Sequence, residues 1–120
     1  MNQSPLYKKT FALAVRVVKL RRFLSQEHQE YDLSRQLLRS GTAPGALYRE
    51  AIHAESKKDF VHKLSIALKE CSETQYWLEL LHATDYLTQD QYSSIHADAV
   101  EVGKLLSAII KTTKSRYLGS

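Results

Sequence analysis

The segment from Arg35 to Leu81 constrains the fold more than any other part of the chain. It contains two long amphipathic patterns, separated by the stretch of small residues Ser40–Ala46. Apolar side chains recur in it at three- and four-residue spacing, which is the period of a helix with a buried face. No run of alternating apolar and polar residues, the pattern of a half-buried strand, occurs in the chain. The sequence therefore predicts an all-α protein.

Four helical patterns are present in the sequence and are expected to form one domain over residues 1–120. A chain of 120 residues has about the length of one domain and can bury a core without disulfides. The expected helices cover about residues 6–24, 31–54, 56–84 and 89–116. Connections of about four to six residues favour antiparallel neighbours. We therefore expect an up-down-up-down antiparallel four-helix bundle.

Two features mark the ends and the interior of these helices. Ser56 is a good N-cap for the third helix, with Asp59 three residues later as a partial capping-box partner. Pro44 lies inside the second pattern, where it removes an amide donor and crowds the preceding turn. Glycines flank this proline, so the sequence predicts a kink or a local break near residues 40–45.

The first helix has two apolar stripes instead of the single stripe that a surface helix needs. One stripe contains Phe11, Ala14, Val15 and Val18, and the other contains Leu13, Val17, Leu20 and Leu24. Either one stripe faces the core and the other a second molecule, or a central helix touches two neighbours of its own bundle. We predict an oligomer interface formed by the second stripe together with Trp77, since tryptophan is enriched at interfaces.

Charge is distributed unevenly along the chain, although the net charge is only +4. Residues 1–49 contain nine Lys/Arg and three acidic residues, residues 50–102 contain four and ten, and residues 103–120 contain four and none. A basic surface of this kind attracts polyanions, because each neutralised phosphate releases counterions. The predicted nucleic-acid-binding residues are Lys8, Lys9, Arg16, Lys19, Arg35, Arg39 and Arg49. A solvated basic face without a ligand is the alternative.

Aromatic residues accompany these cations and could stack on bases if they are exposed. The candidates are Tyr7, Tyr48 and Tyr117. The sequence contains no helix-turn-helix, RNP or zinc-finger pattern. We therefore expect any binding of RNA or DNA to be weakly sequence-specific.

Residues that could perform chemistry are scattered. The single cysteine, Cys71, lies within an apolar helical pattern and is expected to be a buried structural thiol. Two Glu-x-x-His pairs, Glu50/His53 and Glu79/His82, have the spacing found in di-metal carboxylate bundles. The first helix lacks the inward glutamate that such a centre needs. We therefore expect no metal, no cofactor and no enzymatic activity, and keep a di-metal enzyme only as an alternative.

The run RQLLRSGTAPGALYREA, the following SKKDFVHKLSIALKECSETQYWLELL and the later KLLSAIIKTTK resemble a known family. It consists of the four-helix-bundle proteins encoded within intervening sequences of bacterial 23S ribosomal RNA genes, also described as S23 ribosomal protein-like. The resemblance covers roughly residues 8–114. This chain departs from it at Ala43, Pro44 and Leu47, where the family often has serine, a β-branched residue and asparagine. Two polar groups are lost there.

The resemblance implies a homopentameric ring and no established enzymatic activity. The family is also similar to the accessory protein of diversity-generating retroelements, a basic pentamer that binds nucleic acid and the reverse transcriptase. These relatives imply a non-catalytic scaffold that binds RNA or DNA. A protein-interaction module that recruits a protein partner without nucleic acid is the alternative.

The expected location is the cytoplasm, without a membrane partner. The sequence has no convincing secretory signal, because Arg16 interrupts the apolar stretch near the N-terminus. No apolar run approaches the ~20 residues that span a bilayer.

Overall fold

The computed structural model describes residues 4–119, which form four α-helices and no strand. The helices are α1 (Pro5–His28), α2 (Asp32–Ile52), α3 (Lys57–Ala83) and α4 (Gln89–Tyr117). Each helix packs against the next one in the chain, and α1 also makes a smaller contact with α4. None of these helices is long and apolar enough to cross a membrane.

Three of the helices begin at hydroxyl side chains that accept backbone N–H groups. Ser4 accepts from Tyr7 at the start of α1, and Ser56 accepts from Asp59 as predicted for α3. Thr88 forms a full capping box with Gln91 at the start of α4. These bonds satisfy amides that have no partner within the first helical turn.

The predicted end of the first helix near residue 24 is wrong, because α1 continues to His28. Gln29 then adopts a left-handed conformation with φ of 50°, and its N–H donates to the carbonyl of Leu24. Such a left-handed residue is a common way to end a helix. Residues 25–28 therefore belong to α1, and only residues 29–31 connect it to α2.

Of the kink or local break predicted near residues 40–45, the break is absent, because α2 is helical from Asp32 to Ile52. The small residues of this segment lie against α1. A Cβ atom at Gly41 would lie 2.6 Å from Cγ2 of Val17, and one at Gly45 would lie 3.5 Å from the carbonyl oxygen of Thr10. Close packing against α1 thus keeps the segment helical despite Pro44, which is itself buried.

The core contains side chains from all four helices. Three residues that we had predicted at an oligomer interface, Leu13, Val17 and Leu24, are at most 1% exposed within a single chain. That part of the interface prediction is wrong, because α1 turns this stripe inward and leaves no surface for a second copy. Leu20 and Trp77 are half-buried and pack against the core.

Polar groups in the core are fully paired. The hydroxyl of Thr74 donates to Ser40 Oγ over 3.1 Å, which joins α3 to α2. The Cys71 thiol donates to the carbonyl of Ala99 over 3.0 Å, and burial raises the pKa of this thiol. Within residues 4–119, no buried side-chain nitrogen or oxygen lacks a hydrogen-bond partner. Cys71 is therefore the buried structural thiol that the sequence predicts.

Candidate nucleic-acid interface

Two of the predicted cations on α1 are occupied by carboxylates of α4. Lys9 Nζ lies 2.8 Å from Glu101 Oε1, and Arg16 Nη1 lies 2.5 Å from Asp98 Oδ2. The hydrogen bond from Lys9 and the charge of Glu101 raise the pKa of this lysine. These pairs hold α1 beside α4, so Lys9 and Arg16 are less available to phosphate than their charge suggests.

Arg39 on α2 is occupied in the same way by α3. Its Nη1 atom donates to Glu70 Oε1 over 3.0 Å, and its Nη2 atom donates to Glu73. The indole N–H of Trp77 donates to the same Glu73 carboxylate over 2.9 Å. The arginine therefore connects α2 to α3, and Trp77 takes part in this contact.

The remaining predicted cations differ in their surroundings. Among the described residues, Arg35 pairs only with the exposed Asp32, over 3.5 Å and three residues away on the same helix. Such pairs contribute only about 0.2–0.5 kcal/mol, so Arg35 remains available. The Arg49 guanidinium lies over two aromatic rings, 4.4 Å from the centroid of Tyr7 and 5.3 Å from that of Phe11.

The most unusual surface is the side of α1 that points away from the bundle. We call it the α1 outer face, and it consists of Lys8, Phe11, Val15, Val18, Lys19 and Arg22. Phe11 is 56% exposed, and Val15 and Val18 are each 37% exposed. An open depression of about 360 Å³ lies over the apolar part of this face, and Lys19 and Arg22 contribute to its lining.

The cations of the α1 outer face have no acidic partner. Among the described residues, no carboxylate lies within salt-bridge distance of Lys8, Lys19 or Arg22. Two of these three were predicted from the sequence, and Arg22 was missed. Its position three residues after Lys19 would have indicated it, since both residues lie on one side of a helix.

Only one of the candidate tyrosines is well exposed. Tyr48 is 7% exposed and its hydroxyl is 3.1 Å from Ser4 Oγ, while Tyr7 is half-buried beneath Arg49. Tyr117 is exposed on α4, where the Lys57 ammonium lies 4.5 Å from its ring. Phe11 is therefore the exposed aromatic ring beside the unpaired cations, whereas the sequence pattern places it only in an apolar stripe.

The two Glu-x-x-His pairs do not converge. Glu50 and His53 lie at the end of α2 that leads into α3, whereas Glu79 and His82 lie at the other end of α3. The His82 ring stacks on Tyr92, with centroids 4.4 Å apart. Within residues 4–119, no three His, Cys, Asp or Glu side chains are grouped so that they could hold a metal ion.

These features define a four-helix protein with one basic, partly aromatic outer face. Residues 2–108 match the family model described as 23S rRNA-intervening sequence protein. The chain belongs to this family, as its resemblance to those proteins predicts.

Among solved structures, one with high similarity matches over most of both chains. It is a protein of unknown function from the S23 ribosomal protein family of Bacteroides thetaiotaomicron, with 53% sequence identity and a TM-score of 0.88. The similarity covers 88% of this chain and 98% of that chain. No curated protein matches the sequence significantly.

Proposed function

We propose that this protein is a non-catalytic scaffold that binds RNA or DNA through the α1 outer face, with weak sequence specificity. The observation that carries the proposal is the set of three unpaired cations, Lys8, Lys19 and Arg22, beside the exposed ring of Phe11. Unpaired cations can neutralise phosphates without losing an internal ion pair. Arg35 and Arg49 extend the basic surface onto α2, while Lys9, Arg16 and Arg39 contribute mainly to helix packing.

We further propose that the scaffold is a homopentameric ring of up-down-up-down bundles. The contacts Arg39–Glu70 and Glu50–Lys63 support the antiparallel arrangement of α2 and α3, since residue numbers rise along one helix as they fall along the other. The pentamer rests on resemblance to the family and to the accessory protein of diversity-generating retroelements. Trp77 remains a candidate interface residue, and Tyr76 beside it is 55% exposed.

The test is an equilibrium titration of labelled RNA over a series of salt concentrations. The variant K8Q/K19Q/R22Q is compared with K104Q/K111Q/K114Q, which removes the same charge from exposed positions of α4. We expect the first variant to bind more weakly and to reduce the slope of log affinity against log salt by about two. The second variant should remain close to the wild type.

Two results would contradict the proposal: no binding at low salt, or equal losses in both triple variants. Equal losses would mean that net charge alone attracts the nucleic acid. The alternative, a protein-interaction module, rests on Val15 and Val18, which are apolar yet exposed. Its expected result is a defined protein complex that survives nuclease and is lost when both valines become serine.

A further inference from the structure

We propose that the α1 outer face takes single-stranded nucleic acid, with an unpaired base stacked against Phe11 and Arg49. This inference rests on the proposed function and names the class of nucleic acid that the face recognises. It follows from a planar site at one end of the face and a line of cations that continues from it.

The planar site consists of two rings and a guanidinium from different helices. Arg49 of α2 lies over Tyr7 and Phe11 of α1, and Tyr7 also makes an edge contact with Tyr48, with centroids 6.4 Å apart. Aromatic rings and arginine planes are the surfaces on which proteins stack unpaired bases. Phe11 is 56% exposed, so more than half of the residue's surface remains accessible beside the guanidinium.

The line of cations starts one helical turn before Phe11 and continues past it. Lys8 precedes the ring, while Lys19 and Arg22 follow it on the same side of α1. With a rise of 1.5 Å per residue, the distance from Phe11 to Arg22 along the helix is about 16 Å. At about 3.4 Å per nucleotide of a stacked strand, this length corresponds to about five nucleotides.

A duplex cannot use these surfaces equally well. Each internal base of a duplex has both faces covered by its neighbours, so only the terminal base pairs offer a face to Phe11. A duplex backbone would also place phosphates against the apolar side chains of Val15 and Val18. A single strand can turn its bases toward the apolar part of the face while its phosphates reach the flanking cations.

The experiment measures the affinity of the full chain for a labelled single strand of about 12 nucleotides and for a duplex of the same sequence. We expect the single strand to bind about tenfold more tightly. Phe11→Ala and Phe11→Leu should each weaken single-strand binding by about tenfold, because neither residue has a ring. The salt slope should not change, since no charge is removed.

Arg49→Lys is a second probe, because it keeps the charge and removes the planar guanidinium. It should weaken single-strand binding several-fold without changing the salt slope. Tyr31→Ala is the control, since Tyr31 is 52% exposed, nearly as much as Phe11, but lies at the start of α2. Among the described residues no cation lies over its ring, and it is at the far end of α1 from Phe11, so this control should bind normally.

Three binding results overturn the inference: equal affinity for strand and duplex, wild-type binding by Phe11→Ala, or wild-type binding by Phe11→Leu. The last result would mean that the contact needs apolar bulk and no ring. A change in oligomeric mass of the Phe11 variants would also overturn it, because a second copy would then cover the face. Tight duplex binding would leave the proposed function intact, whereas absence of all binding at low salt would overturn both the proposed function and this inference.

Discussion

At the scale of single residues, the contact between α1 and α2 depends on the absence of one side chain. A Cβ atom at Gly41 would lie 2.6 and 2.9 Å from the two methyl groups of Val17, which is fully buried. Overpacking of this kind costs about 1–3 kcal/mol. We therefore expect Gly41→Ala to lower the free energy of unfolding by that amount in urea titrations.

The control for this prediction is Gly103→Ala on α4. A Cβ atom there would meet its nearest neighbour, Cys71 Sγ, at 3.7 Å, an ordinary contact. Alanine in a helix interior should then stabilise the protein by up to about 1 kcal/mol. Val17→Ala should lower the free energy of unfolding less in the Gly41→Ala variant than in the wild type. Equal stabilities of the two single alanine variants would refute this account of Gly41.

At the scale of the elements, the start of α2 is capped by Glu30, which comes one residue before the N-cap position. Glu30 is 8% exposed, and its carboxylate accepts the backbone N–H groups of Asp32, Leu33 and Ser34 at 2.8–3.1 Å. Tyr31, the N-cap residue, contributes no side-chain bond. The carboxylate thus satisfies amides that the helix itself leaves without partners.

We expect Glu30→Ala to destabilise the protein by about 1–3 kcal/mol, because three amides at the start of α2 lose a charged acceptor that is itself buried. Glu30→Gln should cost less, since one acceptor oxygen remains. Chemical unfolding, monitored by circular dichroism, measures the stability of both variants. The exposed Glu27→Ala on α1 is the control and should stay within about 0.5 kcal/mol of the wild type. Similar losses at both positions would argue against the capping role.

The sequence predicts those features that depend on neighbouring residues. Ser56 accepts an amide three residues away, so its role as a cap is visible in the sequence. The continuity of α2 through Pro44 was not predicted, because it depends on contacts with α1. The partner of Arg16 was not predicted either, since Asp98 lies 82 positions away and no helical spacing relates them. Nor can the periodicity of α1 alone decide which of its two apolar stripes is buried.

At the scale of the whole molecule, the α1 outer face and the exposed Tyr76 lie on two helices that do not pack against each other. Light scattering coupled to size exclusion should give a mass of about 68 kDa if five 13.7 kDa chains assemble. Tyr76→Arg should lower this mass, because a charge at an apolar interface is costly to bury. Phe11→Ala should leave it unchanged. A wild-type mass of about 14 kDa would rule out the ring.

The hydrogen bond of Trp77 also gives the molecule its own optical reporter. Trp77 is the only tryptophan in the chain, and its indole shares the Glu73 carboxylate with Arg39 of α2. Because Glu73 also belongs to α3, separation of α2 removes only Arg39 from the carboxylate and uncovers the half-buried indole, so we expect the emission to move to longer wavelength. Because the indole belongs to α3 and the α1 outer face to another helix, this signal distinguishes opening of the bundle from occupancy of the basic face without an added dye.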